Sequence, residues 1–366
     1  MAFKLALKEL LYSKKKYILI EVVIVLLVFM VLFLSGLVEG LGRAVVSGID
    51  NIDADYFLVN ESAEKLITVS ELETEKYELL QSQTSAKLAA LNIQRLYLSK
   101  KGSSEKINVT YFAIDPDGYL APEVIKGKRL CEAEAQNPIV LDESFSREGI
   151  SIGDTVCDSS SQVEFTVVGF AEDSMYGHTS IGFISLDSYS EIRTVLNPAY
   201  QLKYHAIAVD GKDVKNINID GAELVPKSEI IENIPSYKAE HLTITMIIWV
   251  LVVVTAAIIG VFYFILTIQK HKQFGVMKAI GINMKTLAAM VTVQVCMVAV
   301  CGTVVAGLLT FLMSLVIPPA MPFYLKAGNV FIIAAAFILI SIASSLISVL
   351  SISKVDPMKV IGGADE

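Results

Sequence analysis

Four long apolar runs dominate the pattern of hydrophobic and polar positions along the chain. The runs cover residues 17–41, 242–268, 287–317 and 329–350. A helix crosses the hydrocarbon core of a bilayer, roughly 30 Å thick, in about 20 apolar residues, so each run is long enough to span it. The pattern therefore predicts four transmembrane helices, and Glu21 and Glu39 are the acidic residues within them.

Lysines cluster in the short polar segments beside these runs. Residues 1–16 carry five lysines, residues 269–286 carry four without any acidic residue, and residues 351–366 add two more. Short loops rich in lysine stay in the cytoplasm, so we expect both termini and residues 269–286 to be cytoplasmic. Residues 42–241 and the turn at 318–328 would then lie outside the cell. The first run is longer than the apolar part of a signal peptide, so we expect it to be retained as an anchor.

Residues 42–241 form a polar segment large enough to fold around a core of its own. The segment holds 18 basic and 32 acidic residues, a net charge of −14. Strong helix formers without glycine or proline predict a helix within residues 69–98, and strand patterns bounded by turn residues follow. The predicted strands lie in INVTYFAI, PIVLDES, VEFTVVGFAE, GFISLD and YHAIAV. SLDSYSEIRTVL and DVKNIN are predicted to be helical, which makes the domain α+β or mixed α/β.

The chain lacks the motifs of an enzyme that works alone. It has no phosphate-binding GxxxxGK[ST] loop, no nucleophile elbow and no metal-ligand spacing among its four histidines. A net charge of −8 also argues against a nucleic-acid partner. The cysteines are too scattered for a zinc site: Cys131 and Cys157 leave an extracellular disulfide open, and Cys296 and Cys301 are best explained as packing residues. Any energy source must therefore come from a partner.

Residues 270–287, between the second and third runs, are short, basic and amphipathic. Phe274, Met277, Ile280 and Met284 recur at helical spacing, which predicts one apolar helix face. Such a helix could rest on anionic lipid at the membrane surface or insert into a partner ATPase. The sequence pattern alone leaves both interpretations open.

Short motifs and the order of the segments resemble one family of membrane proteins. GVMKAIG at residues 275–281 resembles the stretch after the second span of FtsX/MacB-type ABC permeases, and VDPMKV at residues 355–360 resembles their tail. In the outer segment, NPIVLDESFSREGISIGDTV followed by FTVVGFAEDS is also similar to that family. The resemblance implies four transmembrane α-helices, with a large MacB-like α/β outer domain between helices 1 and 2.

The family resemblance further implies how such a protein is powered. Members work as homodimers in the cell membrane with a separate ATPase subunit, so this chain would not be an enzyme and ATP would be bound by the partner. Residues 269–286 would form the coupling helix that contacts this ATPase. Its candidate contact residues are Gly275, Met277, Lys278, Ala279 and Gly281.

Within the family, the chain resembles the Gram-positive heme-efflux permeases in particular. The stretches that carry this likeness are LALKEL, MVLFLSGLVEGLGR, DSMYGHTSI, PSYKAE, MPFYL and VDPMKVIGGADE. The likeness implies heme as the exported substrate, no permanently bound cofactor, no metal besides heme iron, and an HrtA-like ATPase as the partner. Two alternatives stay open: export of a peptide, lipid or antibiotic, and transmission of ATPase motion to a cell-wall hydrolase without transport.

Heme needs an apolar slot and an axial ligand for its iron, which His, Tyr, Met, Cys or a carboxylate can supply. On the implied outer side, the candidates are Glu39, Tyr176, Tyr237, His178 and His241. Glu39 lies near the end of an apolar run, where a carboxylate needs a partner or a function unless it reaches the interface. Packing for the tyrosines and an ordinary surface position for the histidines are the competing explanations. Weaker candidates are Asp50, Glu240, Met30, Met246, Met321 and Tyr324.

Overall fold

A computed structural model of the protein describes residues 2–103, 105–211, 214, 217–318 and 321–353. The chain divides into two compact units. Met1–Leu41 together with Leu242–Glu366 form one, here called the helical unit, and Gly42–His241 form the other, here called the sheet unit. The tail motif VDPMKV, with Lys354 and Lys359, lies outside the described residues, as does half of the segment DVKNIN.

The described elements are numbered in chain order. Helices α1 to α10 are Ala2–Tyr12, Lys14–Asp50, Thr74–Gln83, Ser144–Arg147, Leu186–Leu196, Lys227–Asn233, Tyr237–Gln269, His271–Ala279, Met284–Val316 and Ala327–Ser353. Strands β1 to β13 are Tyr56–Asn60, Leu72–Glu73, Lys87–Lys100, Ile107–Ile114, Val124–Gly127, Pro138–Asp142, Thr155–Asp158, Glu164–Ala171, Met175–Tyr176, Thr179–Ser185, Lys203–Tyr204, Ala206–Asp210 and Ala222–Pro226.

Four helices of the described chain are long and apolar enough to cross a membrane. They are α2, α7, the Lys285–Val316 part of α9 and the Ala327–Ile347 part of α10. The prediction of four transmembrane helices is confirmed. Helix α2 continues to Asp50, past the end predicted at residue 41, because Ala44, Val45 and Ile49 are buried and extend its apolar face.

Buried apolar side chains from every spanning helix form the core of the helical unit. Val28 of α2, Ile259 of α7, Val295 of α9 and Phe337 of α10 belong to one buried cluster. Helix α1 joins the same cluster through Ala6, which is fully buried. The lysine-rich pattern of residues 1–16 does not reveal this helix, which packs against α9.

One mixed sheet forms the framework of the sheet unit. Its described strands follow the order β13-β1-β12-β3-β4-β10-β6-β8-β5, with β7 beside β3 and β8, and β9 beside β10. The β4–β10 and β6–β8 pairs are parallel, and the remaining pairs are antiparallel. Successive side chains of a strand point to opposite faces, so Phe112 and Ile114 pack in one core cluster while Tyr111 and Ala113 pack in another. The α/β prediction is confirmed.

The helix predicted within residues 69–98 is wrong in its second half. Helix α3 covers Thr74–Gln83, but Lys87–Lys100 forms strand β3. Residues 89–93 are buried at five successive positions, so they show no helical or alternating pattern. Strand β3 pairs with β12 and β4, and these two ladders outweigh helix propensities that differ by less than about 1 kcal/mol per residue. The other predicted strands correspond to β4, β6, β8, β10 and β12, and SLDSYSEIRTVL forms α5.

Candidate functional site

The β9–β10 hairpin, which contains the stretch DSMYGHTSI, is hydrogen-bonded to the last turns of α2 in the sheet unit. The backbone N–H of Gly177 donates to the carbonyl oxygen of Val45 at 3.0 Å. The N–H of His178 donates to the carbonyl oxygen of Ala44 at 2.9 Å. These two bonds fix the tip of the hairpin, and with it the start of the His178 side chain.

Side-chain contacts secure the same hairpin at its beginning. Arg43 forms a 2.9 Å salt bridge with Asp173, and the Asn51 amide donates to the Asp173 carbonyl oxygen at 2.8 Å. Burial raises the pKa of the Asp173 carboxyl, and the Arg43 guanidinium opposes this rise. The Met175 N–H donates to Ser47 Oγ at 3.0 Å. The hairpin is therefore held to α2 along its length.

The first turn of α7 carries three candidate residues on one side. Tyr237, Glu240 and His241 are separated by three and four positions, which places them on one helix face. The rings of Tyr237 and His241 lie 5.5 Å apart, and His178 Nε2 is 3.1 Å from Glu240 Oε2. The structure thus brings four candidates together in the sheet unit. His178, Tyr237, Glu240 and His241 are here called the His–Tyr cluster.

The His–Tyr cluster offers donor atoms that suit iron. The imidazole of His178 is 41% exposed, and its residue has a backbone φ of 62°. Because Nε2 faces Glu240, Nδ1 is the ring nitrogen left for another ligand, and a carboxylate partner makes an imidazole a better metal donor. The phenol of Tyr237 and the second imidazole, His241, are donors of the kinds that heme iron accepts.

Tyr176 is a core residue of the sheet unit. Its side chain is 8% exposed, and its ring meets that of Phe112 edge-on at a centroid distance of 5.7 Å. Burial raises the pKa of the Tyr176 phenol to about 12, which keeps it neutral. This burial supports packing, the competing explanation for Tyr176, whereas His178 and His241 are exposed.

Glu39, in the helical unit, has partners in its own chain. Asn329 Nδ2 donates to Glu39 Oε2 at 3.1 Å, and Lys326 Nζ lies 3.8 Å from Oε1. The Glu39 side chain is 27% exposed. Sequence reasoning missed both partners, although a polar Asn329 at the head of the fourth apolar run was an available signal. The carboxylate is therefore positioned, rather than free to move.

Two glycines allow the turn before α10 to approach the backbone of α2. The N–H of Tyr324 donates to the carbonyl oxygen of Gly36 at 3.0 Å. A Cβ at Gly36 would collide with the ring of Phe323, and a Cβ at Gly40 would collide with the backbone of Pro322. This close packing holds the partners of the Glu39 carboxylate in place.

Five of the weaker candidates are exposed residues. Met30 is exposed on α2 and Met246 on α7. Met321 and Tyr324 are exposed on the turn before α10, and Asp50 is exposed at the end of α2. Exposure alone does not single out any of these five residues as a heme ligand.

The described residues contain no ready-made metal site. No group of three His, Cys, Asp or Glu side chains among them could hold a metal ion. Cys131 and Cys157 are free thiols, so the disulfide that the sequence leaves open does not form in the structure. A porphyrin supplies the equatorial ligands of its iron, so a protein needs to add only axial ones.

Helix α8 is the candidate coupling element, and its predicted face is only partly correct. Phe274 is 5% exposed and packs on the core, but Ile280 is 76% exposed. The reason is that the helix ends at Ala279 and the chain then turns at Gly281, where φ is 95°. Met284 instead begins α9, and its side chain lies outside the described residues.

The five candidate contact residues, four on α8 and Gly281 in the turn after it, differ in environment. Gly275 is buried, Met277 is half-buried and Lys278 is exposed, whereas the side chain of Ala279 lies outside the described residues. A groove of about 700 Å³ lies beside them, between α1 and α8. Its apolar lining includes Leu5, Tyr12, Val276, Met277 and Met290.

Comparisons with known proteins agree with this architecture. A family model of the MacB-like periplasmic core domain matches residues 19–219, and one of the FtsX-like permease C-terminal region matches residues 245–357. A Staphylococcus haemolyticus protein, named as permease protein HrtB of a hemin transport system, is 27% identical over 99% of both chains. Its namesake in Staphylococcus epidermidis is 30% identical over 98% of this chain and 99% of that one.

Similarity to solved structures is weaker. The extracellular domain of the ABC-type transporter YknZ from Gram-positive bacteria covers 43% of this chain and 85% of its own. Its TM-score is 0.33 at 12% identity, too low to argue from. The family models carry the assignment instead, because the MacB-like model covers most of α2 and of the sheet unit while the FtsX-like model covers the later spans. This is a membrane protein with an extracellular domain, and it belongs to the FtsX/MacB-type family of ABC transporter permeases.

Proposed function

We propose that the protein is the permease subunit of an ATP-driven exporter that removes heme from the cell membrane. Relatives named as hemin transport permeases align with nearly the whole chain, which supports this substrate. The observation that carries the proposal is the His–Tyr cluster, because it groups nitrogen and oxygen donors for heme iron at the start of a spanning helix. Two copies would act with two HrtA-like ATPase subunits.

In this proposal the lysine-rich side is cytoplasmic. Both termini and α8 would face the ATPase, and the sheet unit would lie outside. ATP binding would draw the ATPase subunits together and move α8, so that the spans alternate between two states whose balance the nucleotide shifts. The exposed side chains of Val276 and Lys278 on α8, and of Ile280 directly after it, would provide the contact surface.

Heme would enter from the lipid, because most of its surface is apolar. Nδ1 of His178 or the phenol of Tyr237 would then bind the iron. Glu39 would ligate iron only by exchanging its bonds to Asn329 and Lys326. Lys326, whose side chain is 62% exposed, would instead suit a heme propionate.

A hemin titration of the purified permease–ATPase complex tests the proposal through the Soret band. We expect a shifted band for the native protein and about tenfold weaker binding when an iron ligand is removed, equivalent to about 1.4 kcal/mol. The variants are Tyr237→Phe, His178→Gln, His241→Gln and Glu39→Gln. Tyr97→Phe, at an exposed tyrosine on β3, is the matched control. No Soret shift in the native complex, or unaltered binding by all four variants, would contradict the proposed site.

Cell growth tests the substrate independently. Deletion of the protein is expected to sensitise cells to hemin. If the deletion strain tolerates hemin normally but becomes sensitive to a peptide, lipid or antibiotic, that compound is the substrate instead. If the sheet unit binds a cell-wall hydrolase and the complex transports none of these compounds, the protein transmits ATPase motion to that hydrolase instead.

A further inference from the structure

A buried polar cluster in the helical unit has no part in the proposed heme site. Lys270 lies between α7 and α8, and its Nζ is 2.7 Å from Glu9 Oε1 on α1. The same ammonium donates to Tyr17 Oη on α2 at 2.5 Å and to Gln294 Oε1 on α9 at 2.9 Å. Gln294 Nε2 donates in turn to Glu9 Oε2 at 2.6 Å. These four residues are here called the Lys270 cluster.

The members of the Lys270 cluster satisfy one another away from water. The side chains of Lys270 and Glu9 are only 13% and 22% exposed. The Lys270 ammonium has three donor protons, and three oxygen atoms lie within hydrogen-bond reach, one each from Glu9, Tyr17 and Gln294. The other carboxylate oxygen of Glu9 accepts the hydrogen bond from Gln294. Such a pair is weakly screened by salt, and loss of one partner leaves a buried charge uncompensated. The contacts should therefore persist through movements that would break exposed pairs.

The cluster lies where α8 begins. The N–H of Phe274 donates to the carbonyl oxygen of Lys270 at 2.9 Å, so the backbone of α8 continues directly from the clustered lysine. Gln294 lies on α9, the helix that follows α8, and is 2% exposed in an apolar run. Through Glu9, helix α1 is thus fastened to the start of α8 and to the helix on its far side.

We propose that the Lys270 cluster is a rigid joint that makes α1 and α8 move as one body, so that α1 belongs to the element through which the ATPase drives the spans. This inference rests on the proposed role of α8 in coupling. Glu9 and Lys270 act as positioning residues, since they hold helices and contact neither heme nor nucleotide. The groove between Leu5 and Val276 would keep its shape during the cycle and present a fixed surface to the ATPase.

A distance measurement tests the joint without reference to the substrate. Genetically encoded spin labels replace Leu11 on α1 and Ile280 after α8, which are 67% and 76% exposed. Pulsed electron paramagnetic resonance measures the distance between the two labels in the full permease–ATPase complex. We expect the same distance without nucleotide and with trapped ATP. In the Glu9→Gln, Lys270→Met double variant, which is neutral and similar in shape, the distance should change between the two states. A native distance that changes with ATP, or a double variant that keeps it constant, overturns the joint.

Coupling is measured on the same complexes in liposomes. Transport per ATP hydrolysed should fall about tenfold in the double variant, within the range of coupling free energies between sites, while the ATPase stays bound. Lys15→Met, at an exposed lysine of α2, is the matched control. Native-like coupling in the double variant would show that the buried pair only stabilises the fold, which rejects the joint. If the double variant fails to assemble, Glu9→Gln, which removes the ion pair with Lys270 and keeps a hydrogen-bonding side chain of the same size, is compared in its place.

The two proposals fail in different ways. A native complex that hydrolyses ATP but moves no heme contradicts heme export. The distances between the spin labels still test whether α1 and α8 move as one body. A native complex that exports heme while the double variant does so equally well contradicts the joint alone.

Discussion

Acidification is expected to loosen the sheet unit through one half-buried imidazole, that of His205. Its Nδ1 accepts a hydrogen bond from the N–H of Ile93 on β3 at 3.1 Å, and the backbone N–H of His205 donates to Asn92 Oδ1 at 2.6 Å. Burial lowers the pKa of His205 to about 4. Protonation of Nδ1 would remove the acceptor and place a charge beside the buried ring of Tyr189.

The sign and size of the effect follow from linkage. The folded-state pKa lies below the ordinary histidine value, so the unfolded chain binds the proton more readily and stability falls as the pH drops below about 6.5. With a folded pKa of about 4, the loss between pH 7 and pH 5 is about 2 kcal/mol, and it is nearly complete below pH 4. Above pH 7 the contribution of His205 should be constant.

Hydrogen exchange measured by mass spectrometry on the full chain in detergent provides the assay. After correction for intrinsic exchange rates, peptides from β3 and β12 should lose about 2 kcal/mol of protection between pH 7 and pH 5. His205→Gln should flatten this pH dependence, whatever its effect at pH 7, and His178→Gln at an exposed site should leave it intact. An equally steep pH dependence in His205→Gln would refute the reasoning.

Three further perturbations test other parts of the structure. Tyr176→Ala should lower the free energy of unfolding by about 3–5 kcal/mol in denaturant titrations, because it empties a buried site. Tyr176→Phe, which keeps the ring, should bind hemin as the native protein does, and weaker hemin binding by this variant would argue against a packing role. Gly40→Leu should push the turn at Pro322 away from α2 and speed hydrogen exchange there, and unchanged protection would show that the turn can adapt. Scrambling residues 275–281 should preserve membrane insertion and abolish ATP-driven transport; normal transport would exclude α8 as the coupling helix.

The spanning helices could be predicted because lipid requires long apolar runs that do not depend on tertiary contacts. Strand β3 could not, since its alanines and leucines favour a helix and only the neighbours β4 and β12 make the extended form more stable. Helix α1 was missed for a related reason: its lysines dominate the pattern, and the buried side of the helix is defined by packing on α9.

Some of the candidate functional residues could likewise be predicted from the sequence, whereas their contacts could not. Glu39 was predictable because a carboxylate in an apolar run is unfavourable without a partner, yet its pairing with Asn329 depends on a turn that packs on two glycines. The Lys270 cluster joins Glu9 to Gln294 across 285 positions of the chain, so no local pattern could reveal it. His178 and Tyr237 were found through family resemblance, and only the fold shows which of the candidates meet.

The backbone at His178 has a consequence for how this protein could be made more robust. With φ at 62°, the residue occupies the left-handed region, where a side chain costs about 1–2 kcal/mol that glycine avoids. His178→Gly should therefore raise the melting temperature while it deletes an imidazole from the His–Tyr cluster. Directed evolution for heat resistance would tend to discard this histidine, and only a simultaneous demand for heme tolerance would preserve it.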